Sequence, residues 1–419
     1  MGSKYSRVRG TNDFFFKEGY LHSKIEQVAL QISRKYGFSE VKTPILEETN
    51  LFIRSMGETS DVAKKEMYNF KDKGDRDVCM RPEWTAGIAR AVVENKLLNN
   101  TNTSLKLVGC GPVFRYDRPQ AGRYRQFDQL SFEWINSNSI FDDIEVILLF
   151  NDIMKALEIS GVYFVINNIG SFDSRKKWIA ALQNHLEQYK DQLSELGRER
   201  LIKNPLRILD DKIDGEKDFV KNAPKITEFL SQEEKDNFVF IQTVLFNFGV
   251  KCVVDVNLVR GLDYYTDLVF EVKSNCVSGS LGGGGRYSNL IKEIGGNDCS
   301  CIGFGLGVER VMNVMIEQNI YIDDYGVDIF VAKIDDSVEE ESFELIHSLR
   351  KNDFSVTSDF SKNKLSSLFS IAEKCKAKYI VIVGKKDIEN GVFTVKNQKT
   401  LKQEIIKKNE ILEYFKKNI

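Results

Sequence analysis

The sequence predicts an α+β protein, in which a mostly antiparallel sheet flanked by helices carries a helical insertion and is followed by a small α/β domain. Strand-like segments come in neighbouring pairs joined by short turns, as in LKLVGCGPVF and RQFDQLSFEWI, and do not alternate with helices. Lysine-rich helical sequence separates two groups of strands over residues 171–248. After Gln318 strands and helices alternate, which predicts a separate α/β unit.

The bulk composition excludes several classes of protein. The 419 residues suffice for two or three domains, and 59 basic against 61 acidic side chains leave a net charge of -2, so a polyanionic partner must be bound by local clusters. Seven cysteines without a CxxC pair, with only three histidines, predict a reduced protein without a metal site made of side-chain clusters. No apolar run approaches the roughly 18–20 residues of a membrane span, so we expect a cytoplasmic protein without membrane contact.

The first predicted elements are a helix and a strand. Apolar residues such as Ile25 and Ile32 recur at helical spacing over residues 21–36, and Gly37 ends the helix. The segment FSEVKTPILEE then predicts a strand, in which Pro44 belongs at a sheet edge or a strand end. We expect this helix and strand to contribute to a dimer contact.

A polar cluster follows in VCMRPEWTAG. Alternation along an extended segment places Arg81, Glu83 and Thr85 on one face. A helix is predicted to follow over residues 87–96.

The next two strands form a hairpin with Gly122 at its turn. Apolar and polar side chains alternate along the second strand. One face therefore packs, while the other presents an amide, a hydroxyl and a carboxylate from Gln129, Ser131 and Glu133.

Further elements complete the predicted domains. A helix over residues 145–159 and a strand over residues 162–169 precede the insertion, and the C-terminal domain ends with a helix predicted from Leu401. The predicted boundaries are residues 1–170 and 251–320 for the two parts of the sheet domain, 171–250 for the helical insertion and 327–419 for the C-terminal domain.

Three arginines from distant segments each need an anion. Arg115 is expected inside a strand, where a guanidinium that cannot lose its charge is costly without a counter-ion. Arg260 precedes Gly261, which lets a ligand approach the backbone. Arg310 lies in the first turn of a helix, where a cation is unfavourable without an anion. Together they predict a bound polyphosphate and, without a Walker lysine loop, an ATP-using enzyme of another kind.

Local sequence leaves other interpretations open. The hairpin residues Arg118, Arg123 and Arg125 are as easily solvated as ligand-binding, and local sequence favours core over pocket positions for the two tyrosines that follow Asp263. The glycines of CIGFGLGVERV lack the βαβ context of a dinucleotide site and are better explained as room for a flat group on the backbone.

Several motifs, in this order, resemble those of the histidyl-tRNA synthetase family of bacterial type, within the class II aminoacyl-tRNA synthetases. The helix with VKTPILEE, the hairpin FRYDRPQAGRYRQFDQLSFE and GFGLGVERV resemble the three general class II signatures. RGLDYYTDLVFE and GGGGRYSNLI, between the second and third, resemble the histidine-specific signatures. The resemblance extends over the whole chain, and it implies a class II catalytic sheet with a C-terminal anticodon-binding domain.

The resemblance also implies the reaction and a role for each matching residue. It implies a homodimeric histidine--tRNA ligase that uses L-histidine, ATP with substrate-bound Mg²⁺, and tRNA-His. The implied catalytic residues at the ATP α-phosphate are Arg115 and Arg260. The residues implied to bind histidine are Glu83, Thr85, Gln129, Glu133, Tyr264, Tyr265 and Tyr287, of which Glu133 and Tyr265 would meet the imidazole. Those implied to bind ATP are Arg115, Arg123, Phe127 and Arg310. Gln120 is implied to contact the acceptor end of the tRNA.

Two residues depart from the family pattern, and two alternative functions remain. Trp84 stands where many members have glycine, and Asp128 where a histidine is frequent. One alternative is the non-catalytic, histidine-binding regulatory paralogue of an ATP phosphoribosyltransferase, which typically lacks the C-terminal domain. The other is a prolyl, threonyl or glycyl synthetase, which RGLDYY disfavours.

Overall fold

The computed structural model describes residues 4–57, 62–98, 104–120, 122–209, 211, 213–260, 264–320 and 326–419. The chain divides into two compact units, Met1–Tyr321 and Ile322–Ile419. Within these units, the boundaries drawn from the sequence for the sheet domain and its insertion stay predictions.

Helices and strands of the first unit are as follows. The helices are α1 Phe16–Lys35, α2 Thr49–Met56, α3 Thr85–Glu94, α4 Ile140–Ala156, α5 Phe172–Glu187, α6 Glu195–Lys203, α7 Leu206–Leu209, α8 Asp218–Lys221, α9 Gln232–Asn247, α10 Leu290–Glu293 and α11 Val308–Glu317. The strands are β1 Ser39–Val41, β2 Leu46–Glu48, β3 Tyr68–Lys71, β4 Asp77–Met80, β5 Leu105–Phe114, β6 Gln126–Ile135, β7 Val162–Asn168, β8 Cys252–Val254, β9 Tyr265–Ser274, β10 Ser280–Tyr287 and β11 Cys301–Gly307.

The main sheet of the described residues has eight strands in the order β1-β5-β6-β11-β10-β9-β7-β8. The pairings from β5 through β7 are antiparallel, and the outer pairs β1-β5 and β7-β8 are parallel. The predicted mostly antiparallel sheet is therefore confirmed. On one face of this sheet Phe132 stacks on Phe304 with ring centroids 4.4 Å apart, and Phe150 of α4 lies 5.0 Å from Phe304. Since side chains alternate along β6, its polar residues lie on the other face.

The single strand predicted for FSEVKTPILEE is divided in two. β1 pairs with β5 of the main sheet, whereas β2 pairs with β4 in a separate sheet of order β2-β4-β3. Pro44 lies in the break between them. The division follows from its missing N–H, because proline cannot continue a ladder of backbone hydrogen bonds.

Helices dominate the chain between β7 and β8. The described residues there form α5 to α9 and short turns, without a strand. Their core is an apolar cluster that includes Trp178, Leu182, Leu201 and Ile226, all 2% exposed or less. The helical character expected from the lysine-rich sequence is present, because each helix buries only one apolar stripe and leaves its charged face to solvent.

The second unit is an α/β domain with β12 Ile329–Lys333, α12 Glu339–Arg350, β13 Val356–Ser358, α13 Leu365–Lys374, β14 Tyr379–Val383, α14 Lys385–Glu389, β15 Val392–Asn397, β16 Gln403–Lys407 and α15 Ile411–Asn418. Its sheet has the order β13-β12-β14-β15-β16. The helix predicted from Leu401 is wrong at its start, because Asn397 Oδ1 accepts hydrogen bonds from the backbone N–H groups of Lys399 and Thr400, both at 2.9 Å. The resulting turn leads into β16, and the helix begins only at Ile411.

None of the described helices is long and apolar enough to cross a bilayer.

Candidate active site

Glu83 caps the helix that follows it. Its side chain is buried, and its two carboxylate oxygens accept hydrogen bonds from the backbone N–H groups of Thr85 at 2.5 Å and Ala86 at 2.8 Å. This cap is the reason that α3 begins at Thr85, two positions before the predicted start. Burial raises the pKa of Glu83, and the hydrogen bond from Ala86 opposes that rise. The carboxylate is therefore held in place with acceptor capacity left for a ligand.

Glu133 is the acceptor on which three hydroxyl groups converge. Thr85 Oγ1 and Ser131 Oγ donate to its Oε1 at 2.7 and 2.8 Å, and the Tyr287 hydroxyl donates to Oε2 at 2.6 Å. Burial raises the pKa of Glu133 to about 7, although these three hydrogen bonds oppose the rise. A ligand N–H would find one acceptor position remaining on Oε2, beside Tyr287.

Two glycines of β11 make room for the polar face of β6. A Cβ atom at Gly303 would lie 2.1 Å from Glu133 Oε2, and one at Gly305 would lie 2.4 Å from Gln129 Nε2. The flat groups predicted to lie on this glycine strand are thus side chains of β6. Gln129 Oε1 is buried and accepts no hydrogen bond from the described residues. A buried acceptor in this state calls for a donor such as an ammonium group.

Tyrosines form the wall next to Glu133. The ring centroid of Tyr264 lies 4.6 Å from that of Tyr265 and 5.3 Å from that of Tyr287, and all three residues are buried. The resemblance pairs Tyr265 with Glu133 at the imidazole, whereas the hydroxyl that contacts Glu133 here belongs to Tyr287. The glycine predicted to bend the chain before these tyrosines, Gly261, lies outside the described residues, as does Asp263.

The structure brings Arg115, Arg123 and Arg310 close together. Arg115 lies just past the end of β5, so the prediction that it lies inside the strand is wrong by one residue. It donates from Nε to the Pro82 carbonyl at 2.8 Å and places its guanidinium carbon 5.7 Å from the Phe127 ring centroid. Burial lowers the pKa of Arg310, and repulsion from Arg123 and Arg115 lowers it further. Three neighbouring cations that repel one another form a site that a polyanion would stabilise.

Arg260 is paired with one carboxylate and keeps a buried N–H donor for a ligand. Its Nη1 pairs with Glu271 Oε1 at 2.7 Å, while its buried Nε has no hydrogen-bond acceptor among the described residues. Gly283 provides the space, since a Cβ there would lie 2.9 Å from Arg260 Nη1. The sequence reasoning missed Glu271, although a charged residue within the apolar run LVFEVK is the same signal that pointed to Arg115.

The three hairpin arginines for which local sequence did not distinguish solvent exposure from ligand binding have different surroundings. Arg125 stacks on Tyr116, with its guanidinium carbon 3.7 Å from the ring centroid, and packs against the backbone of Gly10. Arg123 pairs with Asp117 and is 41% exposed. Arg118 is exposed, as is Gln120 of the turn. Arg125 is therefore a structural residue, and Arg123 keeps access to a ligand.

Trp84 lies behind the site and not at its mouth. It is buried so close to β5 that a Cβ added at Gly109 would lie 2.4 Å from its ring. Arg81 also stacks on this ring, with its guanidinium carbon 3.5 Å from the ring centroid. The indole therefore packs on β5, next to the cap formed by Glu83.

One group of described side chains has the composition of a metal site, which the sequence did not predict. His22, Asp128 and Glu309 bring their ligand atoms within 4.8 Å of one another. Asp128 alternates with Gln129 along β6, so this group lies on the opposite face of the sheet from Glu133.

Family comparisons agree with this geometry. A family profile described as Histidyl-tRNA synthetase matches residues 10–311, and one described as Anticodon binding domain matches residues 327–418. The histidine--tRNA ligase of Malacoplasma penetrans (strain HF-2) is 45% identical over 415 residues, which are 97% of this chain and 96% of that protein. The histidine--tRNA ligase of Ureaplasma urealyticum serovar 10 is 43% identical over 417 residues, 97% of this chain and 99% of that protein.

Among solved structures, the crystal structure of apo S. aureus histidyl-tRNA synthetase matches with a TM-score of 0.82 and 32% identity, covering 98% of this chain and 100% of that one. Sequence profile, full-length relatives and fold thus point the same way, and the chain belongs to the histidyl-tRNA synthetase family.

Proposed function

We infer that this chain is a histidine--tRNA ligase, which activates L-histidine with ATP and transfers the histidine to the 3′ end of tRNA-His. The observation that carries the inference is the junction of two sites: Arg115 lies close enough to Glu83 and Tyr264 to interact with them electrostatically, and Arg260 lies close enough to Tyr265 to do the same. A buried carboxylate and amide, Glu133 and Gln129, suit an imidazole and an ammonium group, and they adjoin arginines that suit a polyphosphate. Such a junction fits a reaction between an amino-acid carboxylate and the α-phosphate of ATP.

The residues that bind histidine are proposed as follows. Glu83 and Gln129 receive the amino group, together with Thr85. Glu83 and Thr85 offer acceptors at the N-terminus of α3, and Gln129 Oε1 is a buried acceptor without a donor among the described residues. Glu133 accepts the imidazole N–H, and the wall of Tyr264, Tyr265 and Tyr287 encloses the ring. An amino acid without an imidazole would leave the remaining acceptor position of this buried carboxylate unfilled, so specificity rests on polar partners.

The residues that act on ATP form the second half of the proposal. Phe127 stacks on adenine, Arg115 and Arg260 hold the α-phosphate, and Arg123 and Arg310 hold the outer phosphates. As the histidine carboxylate attacks phosphorus, the bond to the leaving pyrophosphate breaks, and Arg260 stabilises the growing negative charge because it is already in place. ATP enters with its own Mg²⁺, which arrives as part of the substrate.

Further assignments extend the same proposal. Residues 1–170 and 251–320 are the catalytic domain, 171–250 an insertion and 327–419 the anticodon-binding domain. Gln120, exposed at the hairpin turn, contacts the acceptor end of the tRNA. The protein works in the cytoplasm, where its tRNA is charged.

Exchange of labelled pyrophosphate into ATP tests the proposed function. We expect exchange that depends on histidine, with proline, threonine and glycine slower by at least about 10³-fold, because they lack the partner for Glu133. Folded protein that binds histidine without any exchange would instead support the regulatory paralogue. Activation of proline in place of histidine would refute the assignment.

A homodimer is the second expectation of the proposal. The exposed β1 and β2 segments and the helix α1 before them are the predicted contact. Light scattering at micromolar concentration should give twice the chain mass of 48.0 kDa. A mass of one chain at that concentration would contradict the expectation.

A further inference from the structure

Behind the proposed ATP site, one histidine is surrounded by three carboxylates. His22 Nε2 lies 3.2 Å from Asp128 Oδ2 and 3.8 Å from Glu309 Oε1, and its Nδ1 lies 3.7 Å from Glu26 Oε1. These groups come from three elements: His22 and Glu26 from α1, Asp128 from β6, and Glu309 from α11. Phe14 stacks on the imidazole with centroids 5.4 Å apart.

The carboxylates around the imidazole favour its charged form. Burial lowers the pKa of His22, but the interaction with Asp128 and Glu309, whose nearest oxygens lie 3.2 and 3.8 Å from Nε2, outweighs burial and raises that pKa to about 10. Other titratable or charged groups near the cluster are Cys110 of β5, which hydrogen-bonds to Glu26, and Arg81, which interacts with Asp128. An imidazolium balances carboxylates that would otherwise repel one another in a half-buried place.

A proton explains the cluster better than a metal ion does. Glu309 Oε1 already accepts a hydrogen bond from the backbone N–H of Asp128 at 2.9 Å. That oxygen is also the Glu309 atom nearest to His22. The carboxylate is thus oriented by a backbone hydrogen bond and faces the imidazole as its counter-ion.

Residues of the cluster are sequence neighbours of residues proposed to bind ATP and histidine. Asp128 stands between Phe127 and Gln129 on β6, and Glu309 immediately precedes Arg310 on α11. The hydrogen bond from Asp128 N–H to Glu309 therefore joins the strand that carries Phe127 to the helix that carries Arg310. His22 bridges the same two carboxylates from the side.

We propose that His22, as an imidazolium, is a positioning residue for ATP: it holds β6 and α11 together so that Phe127 and Arg310 keep their separation. The inference rests on the proposed ATP roles of those two residues. Without the cation, the Asp128 and Glu309 carboxylates repel each other, and the start of α11 moves away from β6. One ATP molecule can then no longer place its adenine on Phe127 and its outer phosphates on Arg310 at the same time.

The test compares His22→Gln with the double variant His22→Gln, Asp128→Asn in full-length protein. We expect His22→Gln to raise the KM for ATP in pyrophosphate exchange by about tenfold and to change the KM for histidine by less than about twofold. Adding Asp128→Asn removes the repulsion and should return the KM for ATP most of the way to the wild-type value. Two neighbouring substitutions that compensate are the signature of a direct interaction.

A pH series gives an independent readout. The folded-state pKa of His22 lies above the ordinary value, so its contribution is fully present below about pH 6.5 and is lost as the pH rises through about 10. The KM for ATP of the wild type should therefore rise towards pH 10, and that of the double variant should rise less. Thermal unfolding of each variant checks that the folded state is retained.

Several outcomes would overturn the proposal. Equal increases in both KM values, or a double variant no better than His22→Gln, would show that His22 stabilises the fold without positioning the ATP contacts. A stoichiometric metal ion in the purified wild-type protein, with loss of ATP affinity on chelation in assays supplied with excess Mg²⁺, would replace the imidazolium with a metal site. Histidine-dependent exchange by the wild type is measured separately, so failure of the family reaction is distinguishable from failure of the role of His22.

Discussion

Arg260→Ala is expected to slow the formation of histidyl-adenylate by about 10²–10³-fold, the usual cost of removing one preplaced donor from a developing negative charge. The buried Nε of Arg260 has no acceptor among the described residues, and Glu271 holds Nη1 at 2.7 Å. The guanidinium is thus oriented before substrate arrives, and its main interaction is made as charge builds at the α-phosphate. Single-turnover rates and histidine affinity, measured separately, test this expectation.

The affinity for histidine should change by no more than about threefold, because an interaction made mainly in the transition state affects the rate and not ground-state binding. Arg76→Ala is the matched control, since that arginine is 79% exposed and pairs across a surface turn with Asp72. Arg260→Lys keeps the charge but not the planar fork and should recover a small part of the rate. Equal losses of histidine affinity and of rate in Arg260→Ala would contradict the assignment.

Glu133→Gln is expected to lower kcat/KM for histidine by about 10²–10³-fold, the range seen when one partner of a buried, charged hydrogen-bonded pair is replaced. Three hydroxyl groups donate to the Glu133 carboxylate, from Thr85, Ser131 and Tyr287. A carboxamide presents two N–H donors to these hydroxyl groups and loses the charge that attracts the imidazole. The KM for ATP should stay within about threefold of the wild-type value, because the substitution changes only the histidine pocket.

The same carboxylate predicts a pH dependence. The pKa of Glu133 is raised to about 7, so the carboxylate form that accepts an imidazole N–H is gained as the pH rises through that value. The dependence of kcat/KM on pH should therefore differ between wild type and Glu133→Gln around pH 7, after the shared titration of the substrate imidazole is divided out. Parallel profiles would mean that Glu133 does not titrate in the reaction.

A second variant displaces the Glu133 carboxylate from the neighbouring strand β11, where Gly303 is its partner. In Gly303→Ala the new Cβ would lie 2.1 Å from Glu133 Oε2 and 2.5 Å from the backbone oxygen of Phe132. Both the carboxylate and the pairing of β6 with β11 must then shift, and histidine specificity should fall; thermal unfolding checks that the variant is folded. Gly307→Ala is the matched control on the same strand, because its Cβ would make only ordinary contacts at 3.6 Å or more. Similar effects of both substitutions on histidine use would refute the explanation by displacement.

Local patterns predicted the elements well wherever the chain's own periodicity decides the structure. The hairpin of β5 and β6 follows from alternation on both sides of a glycine turn, and the antiparallel sheet follows from paired strands. The errors lie where one contact overrides a propensity. Glu83 starts α3 early by capping it, Pro44 interrupts the strand after Gly37, and Asn397 turns the chain back into β16 before the last helix begins.

For the site, the sequence indicated which side chains need partners but not which partners they find. Arg115 and Arg310 were singled out because charge in a strand or at a helix N-terminus is costly, and they come close to Arg123. The sequence does not predict the contacts of Glu271 or of the His22 cluster, because a carboxylate in one strand and a histidine on one helix are uninformative until their neighbours are known.

By itself, the sequence determined the mostly antiparallel sheet and the polar face of β6, since a side-chain period of two depends only on residue number. Only the tertiary structure decided that Thr85, 48 positions before Glu133, and Tyr287, 154 positions after it, donate to the same carboxylate. The contact of Tyr287 depends on the register of β6 against β11 and of β11 against β10, and the contact of Thr85 depends on the packing of α3 against β6. Both are set by packing between elements far apart in the chain.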